Sequence, residues 1–162
     1  MRPIDFKQWD RRWANEMYSS HNDKHQTMRN SGSGPTLAAD IVATLKDGSV
    51  TPMTLARQAV EWGYRTYNCG TGWGFFAEVA IHYGFRRFVE TNNFDMLKDC
   101  IDAGGYVVCN MAPGYWGRNT NYVLAWAYDD RYVYCNHAEK NKYRQCVDGF
   151  IADCKRYFCF YP

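Results

Sequence analysis

The 162-residue sequence lacks the features that mark membrane, secreted and nucleic-acid-binding proteins. No stretch approaches the roughly 18 apolar residues of a membrane-spanning helix, and the opening MRPIDFKQWDRRW has no apolar signal-peptide core. The formal net charge is only +2, too small to indicate a nucleic-acid partner. We therefore expect neither a membrane nor a nucleic-acid partner, and a chain that is cytoplasmic on synthesis or exported without its own signal.

Metal and cofactor motifs are also missing. The seven cysteines form no Cys-x-x-Cys pair and show no Cys/His ligand spacing, so we expect most of them to be buried free thiols. The glycine-rich segment GTGWG lacks the spacing and the lysine of a phosphate-binding loop. The sequence predicts no metal site and no cofactor.

Aromatic residues are abundant instead, at 17% of the chain. Two explanations stay open, namely aromatic packing in a small core, or a groove that stacks on sugar rings or grips a peptide. The sequence shows no internal repeat, linker or low-complexity segment. We expect one domain over residues 1–162, acting as a monomer.

Helical patterns fill the first part of the chain and strand patterns the last. Leu37, Ile41 and Leu45 recur at helical spacing after Pro35. Further helical segments are TPMTLARQAVEW, WGFFAEVAIHYGF and NNFDMLKDCIDAGG, and the predicted strands are YVVCNM, NYVLAWAY, RYVYCNH and RYFCFY. This order predicts an α+β fold, with N-terminal helices packed on a C-terminal antiparallel sheet.

The segment NSGSGPTLAAD, residues 30–40, places a small-residue turn directly before the first long helix. A nucleophile at a helix N-terminus gains from the helix dipole and from free N–H groups that can hold an oxyanion. Ser33 occupies that position. It is a candidate nucleophile, the remnant of one, or a helix-capping residue.

Four segments in order resemble the papain-like peptidases of the bacteriocin-leader-processing type. They are QWDRRWA, SGSGPT, VTPMTLARQAVEWGYRTYNCGTGWGFFAEVAIHYGF and GGYVVCNMAPGYWGRNTNYVLAWAYDDRYVYCN. In particular, the chain is similar to C39-like cysteine peptidase domains of endolysin-type proteins from Firmicutes and their phages, over about residues 5–162. The resemblance implies a papain-like fold and a peptidase or amidase that acts on peptidoglycan.

The catalytic positions of that family are substituted here. The family has Cys in a Ser-Gly-Cys-Gly-Pro-Thr turn, His in a Gly-His-aromatic run and Asp in Asn-Asp-Pro. This sequence has Ser33, Asn121 and His137 at those positions. Gln8 resembles the glutamine that helps form the oxyanion hole, with Gln26 as a second candidate. Because Asn121 cannot accept and return a proton at neutral pH, the family's mechanism is not available to this chain.

The resemblance also places three aromatic residues around the substrate cleft. Trp73, in GTGWG, borders the cleft, and Tyr115 and Trp116, in PGYWGRN, form its opposite rim. We expect these rings to grip a peptide or a glycan. The alternative is that they seal the seam between helices and sheet.

Three functions follow from these residues. The first is an inactive cell-wall domain of the peptidase or amidase type, acting after lysis or export, whose partner is a peptidoglycan stem peptide or another peptide. The second is a non-catalytic module that binds a peptide or glycan in the same cleft. The third is a hydrolase in which His137 activates Ser33. The sequence leaves open whether the chain is an enzyme.

Overall fold

The computed structural model describes residues 1–67 and 70–162. The elements within these ranges are α1 Met28–Ser31, α2 Ser33–Leu45, α3 Pro52–Glu61, α4 Gly74–His82, β1 Arg87–Thr91, α5 Phe94–Asp102, β2 Tyr106–Met111, β3 Asn121–Tyr128, β4 Tyr132–His137, β5 Arg144–Cys146, α6 Val147–Asp153 and β6 Cys154–Tyr161. The α+β class predicted from the sequence is confirmed.

The six strands of the described ranges form one antiparallel sheet in the order β1-β6-β2-β3-β4-β5. Alternate residues of a strand face opposite sides of the sheet. Val108 and Leu124 face the layer of α2, α3 and α4, whereas Val107 and Val123 face α5 and α6. Both faces are buried, which explains why β2 and β3 are continuous apolar runs rather than alternating ones.

The order of elements departs from the predicted helices-then-strands arrangement. β1 lies between α4 and α5, and α5 packs on the sheet face opposite α2 through Leu97 and Cys100. The sequence pattern does not predict β1, because its five residues, RFVET, are partly exposed. Within the described ranges β1 pairs with β6 alone, as an edge strand does. The three-residue β5 at the other edge is too short to give a pattern.

The start of α2 corrects one expectation about Ser33. The helix begins at Ser33, two residues before Pro35, and its N-cap residue is Gly32. Ser33 makes no capping hydrogen bond, so the capping role expected for it is wrong. The hydroxyl of Thr36 instead donates to the Gly32 carbonyl at 2.6 Å.

The first residues of the chain tie α2 to β4. The Phe6 amide donates to Asp40 Oδ1 on α2 at 2.8 Å, and Asn136 Nδ2 on β4 donates to the Ile4 carbonyl at 3.1 Å. Lys7 Nζ donates to the His137 carbonyl at 2.6 Å. Asp40 is completely buried, and burial raises the pKa of its carboxyl well above the ordinary value.

The cysteines of the described ranges are free thiols. Cys100, Cys109, Cys135 and Cys159 are buried, as expected, whereas Cys146 is exposed. Cys69 lies outside the described residues. Residues 1–67 and 70–162 contain neither a helix long and apolar enough to cross a membrane nor a cluster of three or more His, Cys, Asp or Glu side chains arranged to hold a metal ion.

Candidate functional site

A cleft of about 430 Å³ opens where the N-terminus of α2 meets the sheet. The sheet side is formed by the end of β2 and the starts of β3 and β6, three neighbouring strands. The polar and aromatic residues that matter chemically in its walls are Ser33, Thr71, Trp73, Asn110, Asn121 and Lys155.

The structure brings two of the predicted catalytic positions, Ser33 and Asn121, to this cleft. Asn121 Nδ2 donates to the Asn119 carbonyl at 2.7 Å, which leaves its carbonyl oxygen available to the cleft. The Ser33 hydroxyl has no hydrogen-bond partner among the described residues. Ser33 and Asn121 therefore share one cleft without a hydrogen bond between them.

Backbone donors accompany the Ser33 side chain. The Gly32 amide already donates to a carbonyl of α1, the Thr36 amide donates to the Gly32 carbonyl, and Pro35 has no N–H. The amides of Ser33 and Gly34 are therefore the ones that helix geometry leaves without a backbone acceptor. Two N–H groups without backbone acceptors, at the positive end of a 13-residue helix, favour an anion or a carbonyl oxygen close to Ser33.

His137 does not face the cleft. Its Nδ1 accepts from the amides of Glu139 and Lys140 at 3.0 and 2.9 Å, and its Nε2 lies 3.2 Å from the Trp116 carbonyl. Two N–H donors on Nδ1 require that nitrogen to be unprotonated, so the proton sits on Nε2 and is donated to Trp116. Both ring nitrogens are thereby occupied by the turn that follows β4.

Burial and nearby charge keep the imidazole neutral. His137 is 2% exposed, and burial, together with the charges of Lys140 and Lys7, lowers its pKa to about 4. His137 on β4 is the cross-strand partner of Val123 on β3, and Val123 faces the α5 and α6 side of the sheet. No hydrogen bond in the described ranges joins Ser33 to His137, so the arrangement needed for a Ser33/His137 hydrolase is not formed.

The two oxyanion candidates lie outside the walls of the cleft. Gln8 is 3% exposed and its Nε2 donates to the Arg29 carbonyl at 2.6 Å. Gln26 Oε1 accepts from the Arg65 guanidinium at 2.9 Å. Each amide fixes a neighbouring segment of backbone or side chain instead of facing Ser33.

The three aromatic candidates have different positions. Trp73 lines the cleft, is 42% exposed and makes an edge contact with Phe158 at 5.7 Å between ring centroids. Tyr115 is exposed, but its hydroxyl donates to the Arg144 carbonyl and it does not line the cleft. Only Trp73 of the three is placed to contact a ligand there.

Trp116 corrects the expected rim. Its side chain is fully buried, and its Nε1 donates to Gln145 Oε1 at 2.8 Å. The ring stacks on His137 with centroids 5.9 Å apart. Trp116 is a packing residue of the α5 and α6 side, so the rim assignment is wrong because the ring is closed off from solvent.

Three of these wall residues, Thr71, Asn110 and Lys155, were not among the predicted site residues. Asn110 is the polar residue of the otherwise apolar run YVVCNM, a signal that sequence reasoning can use because a polar side chain in a buried strand needs a partner. Lys155 gives no such signal, since a lysine beside a strand start is common on protein surfaces.

The walls of the cleft supply hydrogen-bonding groups that can bind a polar ligand. Among the described residues its walls contain no Asp, Glu, His or Cys side chain. Ser33 therefore has no carboxylate or imidazole base within the cleft to take its proton. Hydroxyl, amide and backbone N–H groups with one lysine remain, a set that suits a polar ligand.

Comparison with solved structures finds a similar fold in a peptidase domain. The chain matches the peptidase domain of Streptococcus ComA, a bi-functional ABC transporter involved in a quorum-sensing pathway, with a TM-score of 0.58 and 15% identity. The match covers 82% of this chain and 93% of that chain. The fold is C39-like. At this identity the likeness shows the fold alone, and neither a family model nor a curated protein matches the sequence.

Proposed function

We propose that this chain is a peptide-binding domain with a peptidase-like fold, which holds its ligand in the Ser33–Asn121 cleft without cleaving it. The observation that carries this proposal is the composition of the cleft. Ser33 is accompanied there by backbone amides without acceptors but, among the described lining residues, by no carboxylate or imidazole base. Trp73, half-exposed at the cleft, supplies a ring for the ligand to pack against.

The ligand class that we propose is the peptidoglycan stem peptide. The support is the resemblance of the sequence to C39-like domains of endolysin-type proteins, together with a cleft lined mainly by hydroxyl and amide groups. A stem peptide offers amide N–H and C=O groups that pair with such walls. In this proposal the protein acts at the cell wall after lysis or export.

Binding and cleavage are tested together with a synthetic stem pentapeptide. We expect saturable binding by calorimetry, no cleavage product by mass spectrometry, and about tenfold weaker binding for Trp73→Ala, in line with the loss of one buried aromatic contact. Trp9→Ala is the matched control, because Trp9 is 43% exposed but bonded to the Glu139 carbonyl outside the cleft. Cleavage of the peptide, or absence of binding, contradicts the proposal.

A triple variant tests the substrate class independently of affinity. Ser33→Cys, Asn121→His and His137→Asp together restore the family's residue types, and an aspartate at 137 can accept the two turn amides that His137 Nδ1 accepts now. We expect a slow loss of turbidity in Gram-positive cell walls. An intact fold by circular dichroism without any lysis counts against a cell-wall substrate.

A further inference from the structure

A β-bulge directs a lysine into the cleft. Along β2 and β6, Asn110 is opposite Arg156 and the next residue, Met111, is opposite Cys154, so Lys155 is the additional residue of β6. Bulges bend a strand and re-aim the extra side chain, and they are frequent next to binding sites. Here the extra residue, Lys155, lines the cleft together with Asn110.

The charge of this lysine is not neutralised by its neighbours. Among the described residues that line the cleft, Lys155 is the charged one, and it forms no ion pair or hydrogen bond with any of them. Arg156, the next residue, is by contrast paired with Glu90 at 3.1 Å and with Asn92 at 2.8 Å. Lys155 lines the same cleft as Ser33, and the amides of Ser33 and of the adjacent Gly34 have no backbone acceptor. Both features favour a negative group.

The buried side chain of Asn110 needs a hydrogen-bond donor, which a bare anion does not supply. Asn110 is 4% exposed, and its Oδ1 has no hydrogen-bond partner among the described residues. A buried polar oxygen without a partner costs about 1–3 kcal/mol, which a ligand N–H can recover. The cleft therefore presents both a cationic end and an acceptor in its wall.

We propose that the cleft selects the free α-carboxylate end of a peptide, a selectivity that rests on the peptide-binding function proposed above. The carboxylate binds Lys155 and the amides of Ser33 and Gly34, and the last peptide N–H donates to Asn110 Oδ1. A C-terminal residue carries these two groups one carbon apart, so a single small cleft serves both. One lysine without an arginine fork matches the single charge of a carboxylate better than the two charges of a phosphate.

The subsite is tested with small probes that do not depend on the identity of the whole ligand. N-Acetylalanine carries an α-carboxylate, N-acetylalaninamide lacks it, and N-acetylglutamic acid α-amide carries only a side-chain carboxylate. Amide chemical shifts of Ser33 and Gly34 in ¹⁵N-labelled protein report binding. The stem pentapeptide with a free or an amidated C-terminus is measured in parallel by calorimetry.

We expect N-acetylalanine to change the chemical shifts of both amides. We expect the free-acid pentapeptide to bind at least about tenfold more tightly than the amidated one, which is the usual contribution of a hydrogen bond to a charged group. Lys155→Gln removes both effects. Lys98→Gln is the control, because Lys98 pairs with Asp95 on α5, a helix that packs on the other face of the sheet. Asn110→Leu weakens N-acetylalanine binding less than Lys155→Gln does.

The failures of the two proposals are distinguishable. A pentapeptide that binds equally as acid and amide leaves peptide binding intact and overturns carboxylate selection. An absent pentapeptide signal, with N-acetylalanine shifts that Lys155→Gln abolishes, supports the subsite and rejects the stem peptide. Equal binding of the glutamate side-chain probe, or no response to any probe, overturns the inference.

Discussion

The neutral, buried His137 makes the stability of the domain depend on pH in a calculable way. Its pKa is about 4 in the folded protein, against an ordinary value of 6.5. The unfolded chain therefore binds a proton between pH 6.5 and 4 that the folded chain does not. Stability contributed by this group is fully present above pH 6.5 and is lost as the pH falls toward 4.

The magnitude follows from the same two values. A pKa lowered from 6.5 to about 4 corresponds to about 3 kcal/mol of unfolding free energy, at 1.36 kcal/mol per pKa unit. Linkage predicts that about 1.4 kcal/mol is lost by pH 5.5 and about 3 kcal/mol by pH 4. The physical cause is burial of the ring, with two amides directed at the nitrogen that would have to be protonated.

The assay compares the unaltered protein with His137→Asn in urea titrations followed by tryptophan fluorescence. An asparagine oxygen can accept the same turn amides but does not titrate. Other titrating groups act on both proteins, so the difference in unfolding free energy isolates His137 and should fall by about 3 kcal/mol between pH 7 and pH 4. The exposed His25 is replaced by Asn as a control for the same exchange of side chains away from the turn after β4.

A difference between the two proteins that stays flat over this pH range would refute the reasoning. It would mean that the imidazole is protonated in the folded state, and that its hydrogen bonds to the Glu139 and Lys140 amides are not formed in solution. The side-chain resonances of His137 give an independent measurement of the same pKa.

Three further predictions concern stability. The first concerns Asp40, whose pKa is raised in the folded protein, so that as the pH rises the unfolded chain loses the Asp40 proton before the folded chain does and the unaltered protein is destabilised. Asp40→Asn lacks this proton, and we expect its stability relative to the unaltered protein to increase from pH 5 to pH 7.5. Urea unfolding curves of both proteins over this range measure the difference. Thr51→Ala should cost about 1 kcal/mol in thermal unfolding, since Thr51 Oγ1 accepts from the Thr54 amide in a capping box. Gly105→Ala should lower the unfolding free energy by at least about 1–3 kcal/mol, because a Cβ at this position would collide with the Phe160 carbonyl. Gly48→Ala is the control: the nearest atom to its Cβ would be 3.9 Å away, so we expect a change within about 0.5 kcal/mol.

Local signals in the sequence were sufficient to predict most of the helices and strands. Asn93 caps α5 by accepting from the Asp95 amide, and Asp129 closes the β3–β4 hairpin by accepting from the amides of Arg131 and Tyr132. Such groups act within a few residues along the chain, so their effect is visible in the sequence. The α+β class follows from them.

The side-chain directions at the site could not be predicted in the same way. The register of β3 on β4 shifts between Ala125 and Ala127, and that of β2 on β6 shifts at Lys155. One added residue reverses which face the following side chains occupy. The cleft position of Lys155 and the inward position of His137 depend on register and tertiary pairing, and neither leaves a mark in the composition of the strand.

At position 137, what the fold needs differs from what the catalytic chemistry of the resembled family needs. The turn after β4 needs an acceptor for the amides of Glu139 and Lys140, and His137 Nδ1 supplies it at the position where the resemblance implies an aspartate. Either side chain can accept these amides, so the turn does not discriminate between them. Only the aspartate would be an anion at neutral pH, and a carboxylate stabilises a neighbouring imidazolium more strongly than a neutral acceptor does. Asn121 neither gains nor loses a proton at neutral pH, so it does not require a negative charge at position 137, and a neutral acceptor is sufficient for the turn.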